Sequence, residues 1–298
     1  MISKGESLMT FVQLEVFLMV LKTKNFTKAG ERLNMSQSAV SHAMSSLEDE
    51  LGVKLIERNR KNFIITEIGE KISLMAKEII KQREKMNQEI SYSLGLQAGK
   101  VRIGCFSSVS SKWIPTIFRT FNDRFPNIQL HLVEGTYEEI KKSILEGDID
   151  LGFITLPNHE FEVISLKKDE MKLILPSTFE LENEEKVNLN EFHDIPFILP
   201  NAGCENLIFS IFQEHKFHPK IPFEIRDTST IIKMVKEEIG ISILPELSIP
   251  DHMVGVKILS INPYTYREIG LAARSLELSP SLRAFVEHTK DLVTNNLL

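Results

Sequence analysis

The amino-acid sequence predicts an α/β protein in which a small helical region and one long helix precede a larger region of alternating strands and helices. Up to residue 94 the apolar residues recur mainly at helical spacing. Beyond residue 100, short apolar runs alternate with amphipathic stretches, a pattern that indicates open parallel sheets with helices on both faces. The segment "GLQAG" at 95–99 separates the two patterns and is a predicted hinge.

The composition provides enough apolar residues for two or three domains. The chain has 298 residues, 42% of them hydrophobic, and no apolar run of about 18 residues that could span a membrane. The opening "MISKGESLMTF" lacks the apolar core of a signal peptide, and two cysteines are too few for a disulfide framework. These features predict a cytoplasmic protein with no membrane partner.

Charge is distributed unevenly along the chain. The net charge is -6, yet residues 1–95 carry 14 basic and 12 acidic side chains, whereas residues 96–298 carry 21 and 29. Salt confines the field of a surface charge to about 8–10 Å, so an acidic body can still carry a small basic surface. The overall charge therefore does not decide whether nucleic acid is a partner.

Three helices are predicted at the start of the chain. Apolar residues from Phe11 to Leu21 mark the first, and "FTKAGERL" is the second, with Thr27 as its predicted N-cap. The third follows after "NMS", with Ser36 as its N-cap. Helix, tight turn and helix at this spacing predict a helix-turn-helix.

The third helix, "QSAVSHAMSSLEDEL", has two unlike faces. Its predicted buried face consists of Val40, Met44, Leu47 and Leu51. The opposite face carries only short or hydrogen-bonding side chains, namely Gln37, Ser38, Ser41, His42 and Ser45. Such a face suits the floor of the DNA major groove, where glutamine pairs with adenine and serine or histidine reaches other base edges. The alternative is an ordinary three-helix bundle with a solvated polar face.

A basic hairpin is predicted after Gly52. Two strand-like pieces, "VKLI" and "NFIIT", flank "ERNRK", which places Arg58, Arg60 and Lys61 at the tip. A basic hairpin tip is expected to bind the DNA phosphates or to enter the flanking minor groove. Together with the long helix that follows, the hairpin favours DNA binding over the ordinary bundle.

Residues 67–94 are predicted to form one long helix whose apolar stripe is broken by Arg83. A single stripe on so long a helix indicates pairing with a second copy of the chain. The stripe consists of Ile68, Ile72, Met75, Ile79, Met86, Ile90 and Leu94.

The segment from Phe26 to Glu70 resembles the winged helix-turn-helix of LysR-type transcriptional regulators. Its most specific part is "SQSAVSHAMSSLEDELGVKLIER", and the resemblance continues through "LEGDIDLGFI" and "VKEEIGISILPE" to about residue 290. Ser38 stands where proline is common, and the start of a helix tolerates either residue. His42 stands where arginine is common, which leaves the base preference open but not the groove. The DNA contacts expected on this basis are Thr27, Lys28, Ser36, Gln37, Ser38, Ser41, His42, Ser45, Arg58, Arg60 and Lys61.

The resemblance also implies an organisation for the chain. It implies a DNA-binding domain at 9–66, a linker and dimerisation helix at 67–95, and an effector-binding domain at 101–298 that resembles periplasmic solute-binding proteins. The two lobes of that domain would comprise 101–163 with 267–298, and 170–262. The implied partners are promoter DNA, a small-molecule co-inducer and further copies of the chain as a dimer or tetramer. No cofactor is implied, and contact with RNA polymerase and the choice between activator and repressor stay open.

Candidates for the co-inducer site follow the predicted strands of the larger region. Ligands in parallel open sheets bind beyond the carboxyl ends of strands, where helix N-termini supply free N–H groups. Hydroxyl groups with few nearby cations suit a small polar or anionic metabolite, although plain helix caps are the alternative. The candidates are Ser107, Ser108, Thr136, Thr155, Asn201, Ala202, Gly203, Cys204, Thr228 and Ser229.

Other chemistry receives little support from the sequence. Cys204 is expected near a helix start with a lowered pKa, so a redox response shared with Cys105 is an alternative to two reduced, buried thiols. His215 and His218 have no further metal ligand nearby in sequence, and the sequence contains no nucleophile elbow or phosphate-binding loop. An enzyme or a transport protein built on the two-lobed region would need an acid–base pair or an export signal, and neither is evident.

Overall fold

The computed structural model describes residues 9–59, 62–181 and 186–298. The chain divides into two compact units, Met1–Leu94 and Gly95–Leu298. Within the described ranges, no helix combines the length and the apolarity that a membrane span requires.

The N-terminal unit contains four helices and one hairpin in its described part. A tight turn joins the second and third helices, which confirms the predicted helix-turn-helix. The elements are α1 (Phe11–Thr23), α2 (Phe26–Leu33), α3 (Gln37–Leu51), β1 (Ile56–Asn59), β2 (Asn62–Ile65) and α4 (Glu67–Ser93).

The first turns of these helices are capped by side chains. Ser36 accepts a hydrogen bond from the Ala39 N–H at 3.1 Å, which confirms its predicted role as the N-cap of α3. The prediction for Thr27 is wrong, because α2 begins at Phe26 and the Asn25 side-chain oxygen Oδ1 accepts from the Lys28 N–H at 3.0 Å. Thr27 therefore lies inside the first turn of α2 with its side chain exposed.

The predicted hairpin is present, but its first strand begins at Ile56 and not at Val53. Strands β1 and β2 pair antiparallel, with Ile56 opposite Ile65. The segment before β1 is held by a side chain instead, because the Glu48 carboxylate accepts from the Leu55 and Ile56 N–H groups at 2.9 and 3.2 Å.

Helix α4 packs along the core of the N-terminal unit through one face. Gly69 permits the close approach at its start, since a Cβ there would lie 2.2 Å from the Leu55 carbonyl oxygen. Ser73 and Ala76 continue the buried face one and two turns on. The core that α4 covers consists mainly of Leu14, Val16, Phe17, Val20, Ala29, Val40, Met44, Leu47, Leu55 and Ile56.

The C-terminal unit alternates strands and helices, as the sequence predicts. Its first half contains β3 (Gly99–Cys105), α5 (Ser107–Lys112), α6 (Ile114–Arg124), β4 (Ile128–Glu134), α7 (Tyr137–Leu145), β5 (Leu151–Leu156), β6 (Glu162–Pro176) and β7 (Lys186–Val187). Its second half contains β8 (Ile198–Pro200), α8 (Glu205–Glu214), β9 (Phe223–Ile225), α9 (Thr228–Lys236), β10 (Ser242–Pro245), β11 (Val256–Ile261), β12 (Tyr266–Ala273) and α10 (Pro280–Thr294).

The sheets of this unit are mixed, so the prediction of open parallel sheets is wrong in part. One eight-stranded sheet has the order β4-β3-β5-β12-β6-β11-β7, with β10 also paired to β6. The pairs β3–β4, β3–β5 and β8–β9 are parallel, but β12, β11 and β10 run antiparallel to β6. The reason is that β6 is 15 residues long and its two halves pair with different returning strands.

Among the described residues, the C-terminal unit has four apolar clusters, and the two largest lie at opposite ends of β6. One core combines β3, α6 and β5 with β12 and α10, so the end of the chain packs against the start of the unit. The other combines the second half of β6 with α8, β10 and β11. Each end of β6 therefore packs into its own apolar core.

Candidate functional site

The exposed face of α3 is a continuous strip of short polar side chains. The Gln37 side-chain N–H group donates to the Ser41 hydroxyl at 2.9 Å, and the Ser36 and Ser38 hydroxyls lie 2.9 Å apart. Gln37, Ser38, His42 and Ser45 are exposed, and Ser41 is half-buried. The strip is therefore shallow, hydrogen-bonded within itself and open to a partner.

The other predicted DNA contacts flank this strip or lie outside what the structure describes. Thr27 and Lys28 are exposed in the first turn of α2. Arg58 lies on β1 opposite Phe63, and only its backbone is described. Arg60 and Lys61 lie outside the described residues.

Glu48 fixes the connection between α3 and the hairpin. Its side chain is 10% exposed and its carboxylate forms an ion pair with Lys54 at 2.7 Å, besides the two backbone bonds. Burial alone would raise the pKa of this carboxyl, but the Lys54 ammonium and the Ile56 and Leu55 N–H groups together hold the pKa below its ordinary value.

Replacing Glu48 with alanine is expected to lower the free energy of unfolding of the N-terminal unit by about 2–3 kcal/mol, because two buried N–H groups lose their acceptor. Since the folded pKa of Glu48 is depressed, its stabilisation is complete above the ordinary glutamate pKa and is lost as the pH falls through the folded value. Hydrogen exchange of the amides after α3 measures both effects. Asp49→Ala, an exposed change one residue further on, serves as the control, and equal exchange in the two variants would contradict the role of Glu48.

A cavity of about 840 Å³ opens in the C-terminal unit between elements of both lobes. The structure brings six of the predicted ligand contacts to its wall. The predicted residues that line it are Ser107, Ser108, Thr136, Ala202, Thr228 and Ser229.

The described charged side chains of this cavity are one cation, two carboxylates that cap helices, and the carboxylate of Glu134 at the end of β4. Asp227 accepts from the Ser229 hydroxyl and the Thr230 N–H at 2.6 and 2.7 Å, and these bonds hold its pKa below the ordinary value. Glu139 is part of the capping box of α7, whose bonds likewise lower its pKa. Among the described residues that line the cavity, Arg226 is the one with a cationic side chain.

The capping bonds change the expected role of the helix N-termini. The Thr136 hydroxyl already accepts from the first turn of α7, and Asp227 does the same for α9. One N–H group at each helix start is thus satisfied within the protein. A ligand in the cavity would meet mainly hydroxyl groups and the Arg226 guanidinium.

Behind Ser108 lies a buried ion pair that the sequence did not indicate. Arg267, 3% exposed, donates to Asp169 through Nε at 2.8 Å and to the Ser108 hydroxyl through a terminal nitrogen at 2.7 Å. It also donates to the Tyr137 hydroxyl and lies over the Phe106 ring. Because Ser108 Oγ accepts from a cation, its own hydrogen is available to an acceptor in the cavity.

Four of the predicted contacts do not line the cavity, namely Thr155, Asn201, Gly203 and Cys204. Thr155 lies in the middle of the sheet, where β5 pairs with Ile269 of β12. The Asn201 side chain donates to Glu224 at 3.1 Å. Gly203 has a positive φ of 97° and packs against the backbone of α7, where a Cβ would lie 3.0 Å from the Tyr137 nitrogen.

The two cysteines are buried thiols with raised pKa values. Cys204 does precede α8, but burial and the neighbouring Glu205 raise its pKa, so the expectation of a lowered pKa is wrong. Burial and Glu134 raise the pKa of Cys105 to about 12. Both thiols belong to apolar cores, which favours the interpretation as reduced core residues.

Two charged residues of the site were missed by sequence reasoning for different reasons. Arg226 ends the predicted strand "FEIR" and directly precedes Asp227, so its position at a strand end was visible. Arg267 is brought to Ser108 across 159 residues of chain by the pairing of β12 with β6. No local pattern marks such a contact.

Two family models match this chain over most of its length. Residues 11–70 match the bacterial regulatory helix-turn-helix protein, lysR family, and residues 94–294 match the LysR substrate binding domain. The chain is 36% identical over 293 residues to the HTH-type transcriptional regulator YvbU of Bacillus subtilis, covering 95% of this chain and 99% of that protein. It is 31% identical to the probable HTH-type transcriptional regulator LrrA of Synechococcus elongatus, covering 94% and 96%.

Solved structures of full-length regulators share the fold. A full-length OxyR variant from Pseudomonas aeruginosa superposes with a TM-score of 0.77 at 20% identity, covering 96% of this chain and 95% of that one. Full-length CbnR in complex with its target DNA gives 0.65 at 21% identity, covering 95% and 99%. At these identities the likeness concerns the fold alone.

Proposed function

This chain belongs to the LysR family of bacterial transcriptional regulators, and from that premise we propose that the polar strip of α3 is the surface that reads its operator. As a regulator of this family it binds DNA through the helix-turn-helix and a small molecule through the C-terminal region. The observation that carries the proposal is the exposure of Gln37, Ser38, His42 and Ser45 on one face of α3.

The dimensions and chemistry of the strip fit a major groove. Short side chains allow the backbone of α3 to approach the base edges closely. The Gln37 side chain bonds to Ser41 through its nitrogen and not through its oxygen, and its amide can turn to pair with adenine. Serine hydroxyls can bond to either base. Thr27 and Lys28 at the start of α2 suit phosphate contacts, as do Arg58, Arg60 and Lys61 of the hairpin.

The proposed organisation follows the sequence expectation. We assign DNA binding to 9–66, dimerisation to 67–95 and effector binding to 101–298, with lobes at 101–163 plus 267–298 and at 170–262. The working form is a dimer or a pair of dimers on promoter DNA in the cytoplasm, where the chromosome lies. RNA polymerase is the further partner that a regulator bound at a promoter would meet.

Replacing Gln37 with alanine is expected to reduce the preference for the operator over unrelated DNA by about 1–3 kcal/mol, because a bidentate base contact is lost. Footprinting on the DNA upstream of the gene for this protein, across a salt series, measures both affinities. Lys28→Ala should instead weaken binding to every duplex and reduce the salt slope by about one. Asn87→Ala, exposed on α4, is the control, and an equal loss on operator and unrelated DNA for Gln37→Ala would contradict base reading.

The cavity is the proposed effector site, and a small anionic metabolite is the ligand that its chemistry favours. Arg226 supplies a positive charge, and the hydroxyls of Ser107, Thr136 and Thr228 supply hydrogen bonds. The buried Arg267 polarises the Ser108 hydroxyl toward the cavity. Asp227 and Glu139 are occupied by helix caps, so they compete less with an anion than free carboxylates would.

Replacing Arg226 with glutamine is expected to weaken the binding of the effector by about 10- to 100-fold, since a hydrogen bond to a charged group is lost. A thermal-shift screen of mono- and dicarboxylates on the full chain would identify a ligand, and titration of the variant would measure the loss. Arg119→Gln, an exposed change on α6, is the control. If the variant bound the identified anion as tightly as the wild type, Arg226 would not belong to the site.

A further inference from the structure

A second cavity, of about 370 Å³, lies in the C-terminal unit, and Pro250 is the one described residue that lines both cavities. Its wall comprises Lys112 and Trp113, residues 167–169 of β6, residues 246–251 without Ser248, and Ile258 of β11. We propose that this cavity binds a small carboxylic acid anion with a compact hydrocarbon body. The proposal concerns a site separate from the effector cavity and does not depend on it.

Trp113 provides the first argument. Its side chain is 1% exposed, and its indole N–H has no hydrogen-bond partner among the described residues. A buried donor without an acceptor is destabilising, and native proteins leave few of them unexplained. A ligand oxygen in the cavity that Trp113 lines would supply the acceptor.

The charged groups of the wall favour a negative ligand group beside this donor. Asp169 is neutralised by Arg267, and Lys167 donates to the carbonyl oxygen of the terminal Leu298. Lys112 is paired with Asp251, whose side chain is 82% exposed, so water screens that pair strongly. An ammonium group held by so exposed a partner can turn to a carboxylate beside the Trp113 indole.

The apolar side chains of the cavity wall determine the shape and polarity of the uncharged part of the ligand. Leu247, Ile249, Pro250 and Ile258 are apolar, and together with the Trp113 ring they face a space large enough for one small ring or branched chain. Glu246 and Asp251 lie at the exposed rim. An anion that carries a compact hydrocarbon would place its carboxylate near Trp113 and Lys112 and bury its body against this surface.

The chain contains a single tryptophan, so its fluorescence reports on this cavity directly. Cyclohexanecarboxylate does not fluoresce, and titrating it into the full-length protein without DNA is expected to give a saturable change in tryptophan emission. The indole N–H resonance should shift at the same concentrations. Cyclohexanecarboxamide, which has the same shape without the charge, should bind about tenfold more weakly.

A matched pair of lysine variants locates the charge contact. Lys112→Met should weaken the binding of cyclohexanecarboxylate about tenfold. Lys141→Met should leave its affinity unchanged, although Lys141 is as exposed as Lys112 (27% against 26%) and likewise pairs with an exposed carboxylate, that of Glu138. No saturable change in either signal, equal affinity for the carboxamide, or an unaltered response in Lys112→Met would each overturn the proposal while leaving operator binding untouched.

Discussion

Replacing Asp169 with alanine is expected to lower the free energy of unfolding of the C-terminal unit by about 3–5 kcal/mol, because Arg267 would remain buried without a counter-charge. The two side chains are 6% and 3% exposed, and their closest approach is 2.6 Å. Asp169 also accepts from the Leu247 N–H at 2.9 Å, so the carboxylate joins β6 to the segment after β10. Urea unfolding followed by Trp113 fluorescence measures the loss within this unit.

A double-mutant cycle separates the ion pair from the packing around it. Arg267→Met removes the charge but keeps much of the volume, and the double variant with Asp169→Ala should be less destabilised than the sum of the single changes. Asp123→Ala, which removes an exposed pair with Arg119 at 3.9 Å, should change the free energy of unfolding by less than about 1 kcal/mol. Additive losses in the cycle would show that Asp169 and Arg267 act independently.

The helices of the N-terminal unit were predictable because local spacing determines them. Val40, Met44 and Leu47 are buried as their periodicity predicts, and Ser36 caps α3. The sequence could not decide whether Asn25 or Thr27 begins α2, since both residue types cap helices and they stand two positions apart. Only the observed bond to Lys28 decides it.

The start of the hairpin shows where local reasoning fails. Val53, Lys54 and Leu55 have the composition of a strand, but Glu48 binds the amides of Leu55 and Ile56 from the end of α3. A carboxylate seven residues earlier competes with strand pairing for these amides, and such a contact depends on how α3 and the hairpin pack. The strand therefore starts at Ile56, the last residue whose amide Glu48 binds.

The effector cavity was predictable where strand ends determine it and not where long-range packing does. Ser107, Thr136 and Thr228 follow strands or cap helices, so their place in the wall came from the topology expected of such sheets. Cys204 also follows a strand, yet its side chain turns into the core of the second lobe. The direction of a side chain at a helix start depends on the backbone turn around Gly203, which the sequence pattern does not specify.

The long helix α4 leaves an apolar stripe exposed that a second copy of the chain would cover. Ile68, Met75, Ile79, Met86 and Ile90 are between 38% and 60% exposed, although α4 buries its other face on its own unit. The Arg83 side chain turns away from the stripe toward α1, where it bonds to Glu15 and lies over the Phe11 ring. It would therefore not place a charge between two paired helices. Steps of three and four along the stripe are those of a helix pair.

Replacing both Met75 and Met86 with glutamate is expected to convert the proposed dimer to a monomer, because each charge would be buried without a partner at the helix pair. Affinity for an operator with two half-sites should then fall about 100-fold or more, since the second reading helix no longer binds intramolecularly. Light scattering measures the mass and footprinting the affinity. Tyr92→Glu is the control, because Tyr92 is as exposed as Met75 but lies about 120° round the helix from Met86. An unchanged mass in the double variant would place the dimer contact elsewhere and leave the exposed stripe of α4 to another partner.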